Sequence, residues 1–170
     1  MNPPKRMNAP RRMNAPEDPS MFPHTVTLVT TRTEVGDRYE DITTNYVTYL
    51  RGVLCDDSKA ANVRKSGLEG ADAVNLYIPF DVEAVDAATG EPKQFIGPVE
   101  FWRLEGKSGY WTLLPGQSTW FVKGEVVFDP AWPPEAVYSL ANAMYDGVYN
   151  VTKVDEKDFG GLRHWEVGAA

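Results

Sequence analysis

The sequence predicts a mainly β protein: a small antiparallel β-barrel or sandwich with a long loop, one short α-helix near the C-terminal third and an extended N-terminal arm. Two observations predict this fold class. Several short segments alternate β-branched or aromatic residues with polar ones, and a period of two is that of a half-buried strand. Glycine, proline and aspartate separate these segments, as expected for turns between antiparallel strands. With 170 residues, of which 42% are hydrophobic, the chain is long enough for one core and one domain.

The first two strands are predicted to form a hairpin. Residues 24–33 are rich in valine and threonine and nearly alternate in polarity, which is typical of a strand. A Val-Gly-Asp turn joins them to residues 43–55, which alternate again. This alternation predicts that Leu50 and Leu54 lie on one face of the second strand and that Val53 lies on the other.

Shorter runs predict the remaining strands. They lie at 73–80, 99–104, 109–114, 118–123, 148–154 and 162–167. The last two are expected to close the chain as a hairpin. Residues 125–128 are expected to extend the strand at 118–123.

One helix is predicted at 134–146. Two prolines precede it, apolar residues recur in it at helical spacing, and Gly147 follows it. Such an apolar stripe is more typical of core packing than of a cofactor site. We expect residues 21–170 to form a single β domain, with 81–147 as an insertion that carries the helix.

Residues 1–18 repeat a six-residue unit three times, as Met-Asn-Pro-Pro-Lys-Arg, Met-Asn-Ala-Pro-Arg-Arg and Met-Asn-Ala-Pro-Glu-Asp. Proline in each copy blocks helix and sheet hydrogen bonding, so residues 1–20 are predicted to be an extended, polyproline-like arm. The cations of the arm are Lys5, Arg6, Arg11 and Arg12. Two interpretations stay open, a leader without a role and an arm that binds a neighbouring subunit or an acidic surface.

Charge, hydropathy and cysteine count exclude several classes of function. The four cations of the arm and its two anions, Glu17 and Asp18, give residues 1–20 a net charge of +2. Since the whole chain has a net charge of −7, residues 21–170 have a net charge of −9. An acidic body repels phosphate backbones and argues against general nucleic-acid binding, although acidity also favours solubility. No run of eighteen apolar residues occurs, so no membrane span is predicted. The single cysteine suits synthesis in a reducing cytoplasm.

Residues 56–72 are predicted to form a long polar loop after the second strand. A connection of this length is uncommon within a compact domain and is typical of a functional loop. The residues on it that we select as candidate contacts are Asp56, Asp57, Lys59, Arg64 and Lys65.

The sequence shows no catalytic or metal-binding constellation. His24 and His164 have no Asp, Glu or Cys at ligand spacing, and the glycine motifs of nucleotide-binding sites are absent. Cys55 precedes two aspartates, whose charge raises a thiol pKa, so a buried structural thiol is the better interpretation. We therefore expect no cofactor, no bound metal and no enzymatic activity. A hydrolase that pairs two distant carboxylates is the alternative with least support.

Three tryptophans lie in successive predicted strands, at Trp102, Trp111 and Trp120. Alternation along a strand buries about half of such side chains, and large aromatics fill cores and anchor interfaces. We expect these residues to serve the core or a subunit interface. The alternative is an exposed platform that stacks sugars, as in a carbohydrate-binding β-sandwich.

The order of these elements resembles the bacteriophage head-closure proteins, also called stoppers or head–tail joining proteins. The matching segments are an opening strand at 24–33 with its Gly-Asp turn, a second strand at 46–55, the polar loop at 56–72, a strand at 73–80, a glycine-led segment at 123–127 and a closing pair at 148–155 and 162–167. The stretch at 81–147 departs from the pattern, because it is longer and carries a helix. An adaptor, a tail terminator or a minor capsid protein is therefore an alternative within the same connector.

The resemblance implies a small β-barrel that repeats around the ring between portal and tail. The implied function is to close the head and retain the packaged DNA, as a homo-oligomeric ring, a hexamer or a dodecamer. The implied partners are further copies of the chain, the portal or adaptor protein, the tail terminator or tail tube, and packaged DNA in the lumen without sequence-specific binding. The implied location is the virion neck, after synthesis in the host bacterial cytoplasm, with no membrane involved. In this setting the polar loop lines the channel or docks on the next ring, and the arm holds a neighbour.

Overall fold

The computed structural model describes residues 21–57, 74–116 and 118–170, and the fold is mainly β, as predicted. Within those ranges the elements are β1 (His24–Val35), β2 (Asp41–Asp56), β3 (Val74–Pro79), β4 (Glu83–Asp86), β5 (Gln94–Phe95), α1 (Pro98–Arg103), β6 (Tyr110–Trp111), β7 (Thr119–Lys123), a 3-10 turn (Pro134–Ala136), α2 (Val137–Met144), β8 (Val148–Lys157) and β9 (His164–Ala169). The predicted arm at 1–20 and most of the predicted loop at 56–72 lie outside the described residues. So do the candidate contacts Lys5, Arg6, Arg11, Arg12, Lys59, Arg64 and Lys65.

Six strands close into an antiparallel barrel. Each is hydrogen-bonded to two neighbours in the order β1-β7-β8-β9-β3-β2, and the pairing of β1 with β2 closes the ring. The second edge of β2 is shared, because it pairs first with β4 and then with β3. Closure satisfies backbone hydrogen bonds that an open sheet leaves at its edges. The barrel form of the predicted fold class is the one observed.

The predicted hairpins and helix are present. β1 and β2 pair in antiparallel register around a turn at 36–40, and β8 and β9 form the closing hairpin. The helix predicted at 134–146 begins with a 3-10 turn and continues as α2. The sequence patterns of these elements are local, which is why they predict them well.

Gly52 interrupts the alternation of β2. It has no partner in β1, where the register shifts, and its φ of 86° lies in the left-handed region. This bulge changes the phase of the strand, so that Val53 and Cys55 join the same core as Leu50. The prediction that Leu54 shares a face with Leu50 and that Val53 lies opposite is therefore wrong beyond the bulge.

The main core fills the inside of the barrel. All six barrel strands contribute buried residues to it, and its largest fully buried aliphatic and phenyl side chains are Leu28, Leu50, Leu76, Ile78 and Phe121. Four aromatic rings pack together in the same core, with neighbouring centroids 4.3 to 5.5 Å apart: Phe80, Phe95, Trp111 and Trp165. Burial of this apolar surface is the main force that holds the barrel closed.

A second apolar cluster covers the outside of β1 and β7. Val29, Trp120 and Val122 face outward from these strands and pack against Val137 and Ala141 of α2. The apolar stripe of the helix is thus a packing surface, as the sequence predicted. β1 and β7 are consequently buried on both faces, which explains why Val26, Leu28 and Val29 of β1 are all buried.

Two predicted strands have other structures. Residues 99–104 coincide with α1, because Pro98 favours the first turn of a helix and the buried Phe101 anchors that helix to the barrel. Residues 125–128 do not extend β7. They cross the outer face of the barrel, where Thr27 Oγ1 donates to the Gly124 carbonyl and accepts from the Val126 N–H.

The stretch at 81–147 contributes directly to the barrel. Within it, β7 is a barrel strand and β4 pairs with β2, so it is not a single insertion. β5 and β6 form a separate parallel pair, and the strand predicted at 109–114 is only two residues long. Phe95 and Trp111 of this pair pack against Trp165 of the core.

Replacing Gly52 with alanine is expected to lower the free energy of unfolding by about 1–2 kcal/mol, because a Cβ disfavours the left-handed backbone. The space around Gly52 is open, so the cost is one of backbone conformation and not of a clash. Urea unfolding of Gly52→Ala measures it. Gly106→Ala is the control, because its surroundings are equally open and its φ is not positive. Equal effects of the two substitutions would contradict the role of the bulge.

Candidate interaction site

The β1–β2 hairpin projects beyond the barrel. The pairing of β1 with β7 ends at Thr30, whereas β1 and β2 stay paired for five further residue pairs. We call residues 33–43 the hairpin tip. On it, Val35, Tyr39 and Ile42 are 69%, 92% and 48% exposed. Large apolar side chains clustered on a projecting turn are typical of a protein contact surface.

The base of this hairpin packs against α1. The guanidinium carbon of Arg32 lies 4.9 Å from the ring centroid of Trp102, and Arg32 Nη1 donates to the Trp102 carbonyl at 3.3 Å. Tyr46 meets the edge of Phe101 with centroids 5.5 Å apart. Trp102, a candidate from the sequence, is therefore half-buried in a contact that supports the projecting hairpin.

Trp111 and Trp120, the other two tryptophan candidates, are buried within the chain. Trp111 is 3% exposed in the barrel core, and Trp120 is 1% exposed in the outer cluster, where its Nε1 donates to Thr31 Oγ1 at 3.3 Å. The sequence leaves open whether these residues serve the core or an interface. In the structure both are buried in apolar clusters of the chain itself. Neither ring is accessible to stack a sugar.

The far end of β2 carries the two aspartates of the predicted loop that fall within the described part of the chain, Asp56 and Asp57. Lys123 Nζ of β7 donates to Asp57 Oδ1 at 3.0 Å. This hydrogen bond lowers the pKa of Asp57 and raises the pKa of Lys123. The pair holds the start of the loop against β7, at the opposite end of β2 from the hairpin tip.

Cys55 lies just before these aspartates and is 2% exposed. Burial raises the pKa of its thiol to about 11, and the charges of Asp57 and Asp56 raise it further against the opposing effect of Lys123. The Cys55 N–H donates to Nδ1 of His24 at 3.0 Å. The predicted buried thiol is confirmed, but burial and not the aspartates is the main cause of its raised pKa.

A groove opens on the side of the barrel beside β2. We call it the side groove; its cavity has a volume of about 580 Å³, within the range of ligand-binding clefts. Its walls come from Lys93 and from four segments, at 45–49 of β2, 86–88 at the end of β4, 105–108 and 126–128. Sequence reasoning placed no site here, because residues 82–98 show only turn chemistry and the walls come from distant parts of the chain.

Lys93 lines the side groove with an ammonium group whose donors are all used. Its side chain is 1% exposed, and Nζ lies 3.2 Å from Asp86 Oδ2, 3.0 Å from Thr48 Oγ1 and 3.3 Å from the Val47 carbonyl. Burial lowers the pKa of Lys93, and Asp86 opposes this effect. Lys93 therefore ties the turn after β4 to β2 and does not present an unmatched cation to a ligand.

Asp86 supplies the opposite charge. Its Oδ1 accepts hydrogen bonds from the N–H groups of Ala88 and Thr89 at 2.9 and 3.1 Å. Burial alone raises the pKa of Asp86, but these two N–H groups and the Lys93 ammonium outweigh it, so the pKa is lowered overall. The carboxylate stays ionised at neutral pH.

The accessible part of the side groove is mainly apolar and carries one exposed acidic residue. Val127 is 81% exposed in the lining, and Glu105 is the exposed acidic residue of the same lining. Lys107 is 8% exposed, and its ammonium donates to the Leu104 carbonyl. Because both lysines of the lining are engaged internally, the surface suits an apolar ligand with positive charge.

The described ranges contain neither a cluster of metal ligands nor a helix that could span a membrane. Among residues 21–57, 74–116 and 118–170, no group of three or more His, Cys, Asp or Glu side chains is arranged to hold a metal ion. In the same part of the chain no helix is long and apolar enough to cross a membrane. The two histidines make local contacts, His24 with the Cys55 N–H and His164 with the ring of Tyr77.

Comparison with known proteins places the barrel in a family. The model of a family of unknown function (DUF6751) matches residues 22–170. The chain belongs to this family. The match covers the barrel and its outer layer and leaves out the arm at 1–20. No curated protein and no solved structure matches the chain.

Replacing Asp86 with asparagine is expected to lower the free energy of unfolding at pH 7 by about 2–4 kcal/mol, because it leaves the buried Lys93 ammonium without its counter-charge. The pKa of Asp86 is below its ordinary 3.8, so its stabilising effect is complete above that value and is lost as pH falls through the folded-state pKa. Denaturant unfolding measures the free energy of unfolding of Asp86→Asn and of the unsubstituted protein. The difference between the two should be smaller below pH 3.8 than at pH 7.

The control for that prediction is Asp158→Asn. Asp158 pairs with Arg163 at 3.2 Å, but both side chains are more than half exposed, so the loss is expected to stay below about 0.5 kcal/mol. A difference for Asp86→Asn no larger than this control would show that the buried pair contributes little.

Cys55 is expected to react slowly with iodoacetamide in the folded protein at pH 8, because its pKa of about 11 keeps the thiol protonated and its burial blocks access. Unfolding in urea should raise the alkylation rate by orders of magnitude. Mass spectrometry of the alkylated chain measures both rates. Rapid labelling of the folded protein would show that the end of β2 opens readily.

Proposed function

We propose that this chain is a structural protein of the bacteriophage neck, a head-closure or stopper subunit. It forms a homo-oligomeric ring between the portal or adaptor and the tail, which closes the head and retains the packaged DNA. The observation that carries the proposal is the position of two candidate contact surfaces at opposite ends of β2. The hairpin tip precedes this strand, and Asp56 and Asp57 end it.

The length of β2 suits a joining role. Sixteen residues of strand span up to about 50 Å, so the two surfaces face away from each other along the barrel. A subunit with contacts at both ends is able to bridge two neighbouring layers of an assembly. Barrel closure keeps the spacing between these surfaces rigid.

The exposed apolar residues support contacts with other chains. Tyr39 is 92% exposed on the hairpin tip, and Phe159 is 74% exposed in the turn between β8 and β9. Aromatic residues are enriched in protein interfaces and anchor them. In a ring each subunit uses two different patches to hold its two neighbours, and separate projecting turns supply such patches.

The charge of the body supports a channel function. The arm carries +2 and the rest of the chain −9, so a ring of these barrels presents a strongly acidic surface. Acidic walls repel the phosphate backbone and so let DNA pass without binding it. DNA would thus be retained by a physical plug, with the loop at 56–72 as its candidate, and not by sequence-specific contacts.

The alternatives draw unequal support. An adaptor, a tail terminator or a minor capsid protein needs the same two-ended geometry, so the same observation also supports these connector roles. A carbohydrate-binding module has less support, because Trp111 and Trp120 of the suggested stacking platform are buried.

The full chain is expected to assemble into rings, and deletion of residues 1–18 is expected to leave the barrel folded while weakening assembly. The described residues of the barrel core and of its outer layer all lie after the arm, so we expect the barrel to stay folded without it. Light scattering after size exclusion measures the assembly, and circular dichroism melting measures the fold.

Tyr39→Ser tests the hairpin tip in the same assay. Its side chain makes few contacts within the chain, so the melting temperature should stay unchanged while assembly falls. A full chain that stays monomeric at every concentration, and that mass spectrometry does not find in purified virions, would overturn the proposal.

A further inference from the structure

We propose that the side groove binds the proline-rich arm, residues 1–18, of a second copy of this chain. The inference rests on the proposed homo-oligomer and names the contact that links its subunits.

The side groove is built for a ligand that needs few hydrogen bonds. Lys93 Nζ has three partners within the chain, and the Tyr49 hydroxyl donates to the Val126 carbonyl at 3.0 Å. What remains for a ligand is an apolar wall that includes the exposed Val127 and the half-buried Phe128. Proline has no N–H to satisfy, and extended proline-rich segments dock in grooves lined by aromatic and apolar side chains.

The arm matches this surface in composition and charge. Each six-residue unit contains proline, and the first two units end in Lys5-Arg6 and Arg11-Arg12. These cations complement Glu105 at the groove and the −9 charge of the rest of the chain. The hairpin tip is another projecting apolar segment, but its four acidic residues outnumber its single cation, Arg38, so the exposed Glu105 of the groove repels it.

The arm is long enough to reach a neighbour. β1 begins opposite Val53, and the groove lies near Val47 and Val29, about five residues or 17 Å further along the hairpin. Twenty residues in the extended polyproline form span about 62 Å. A domain of this size has a radius of gyration of only about 15 Å, so the arm extends past its own barrel to the next.

A disulfide-trapping experiment with full-length chains tests this contact. One variant carries Ala9→Cys in the arm, and a second, isotopically labelled variant carries Val127→Cys in the side groove. They are mixed, oxidised with glutathione disulfide and analysed by mass spectrometry. Two thiols lose their hydrogens to form each disulfide as glutathione is reduced. Cys55 adds little background, because it is buried.

The expected result is a mixed dimer that joins the arm cysteine of one chain to the groove cysteine of the other. The matched control replaces Val127→Cys by Val35→Cys, an equally simple change at a valine that is 69% exposed on the hairpin tip. Adding Glu105→Arg to the groove variant should lower the yield of the mixed dimer by up to about fivefold, because it replaces the proposed attraction to the arm's cations with repulsion. The melting temperature of each variant verifies its fold.

Three outcomes would overturn the inference: equal yields with Val127→Cys and Val35→Cys, no change on adding Glu105→Arg, or, in a chain that carries both Ala9→Cys and Val127→Cys, only a closed loop within one chain. The last outcome places the arm in its own groove. Failure of the inference is distinguishable from failure of the proposed function, because rings that persist without the trapped contact leave the neck proposal standing. Chains that never assemble remove the neck proposal itself.

Discussion

The long strand β2 is the constraint on which the rest of the structure depends. It pairs with β1 along one edge and with β4 and then β3 along the other, so the barrel closes only if this strand keeps its register. The bulge at Gly52 lets it do so while both halves of the strand face the core. The hairpin tip, the side groove and the Asp57–Lys123 pair are all placed by β2, so the candidate contact surfaces share one rigid support.

The buried pair of Lys93 and Asp86 links this support to the side groove. An ammonium group that is 1% exposed is costly unless its donors are matched, and here a carboxylate, a hydroxyl and a carbonyl match them. The pair fixes the turn after β4 against β2 and so shapes one wall of the side groove. These two charges hold the wall in place, and the accessible surface that remains is mainly apolar, with the exposed Glu105 as its one exposed acidic residue.

Local patterns made much of the fold predictable, and long-range contacts made the candidate site unpredictable. Alternation and turn residues predicted β1, β2, β8 and β9, because these strands pair with neighbours in sequence. The segment at 99–104 was predicted as a strand, but Pro98 and the burial of Phe101 favour a helix. Lys93 and Thr48 meet across 45 residues, a separation that no local pattern encodes. The sequence therefore predicted no site at the side groove.

The position of β9 in the ring has a consequence for folding. This strand lies between β3 and β8, and it follows every other barrel strand in the chain. A chain in which β9 has not yet docked therefore leaves the backbone edges of β3 and β8 open. Open strand edges recruit other chains, so misassembly with a second copy is most favoured before β9 docks.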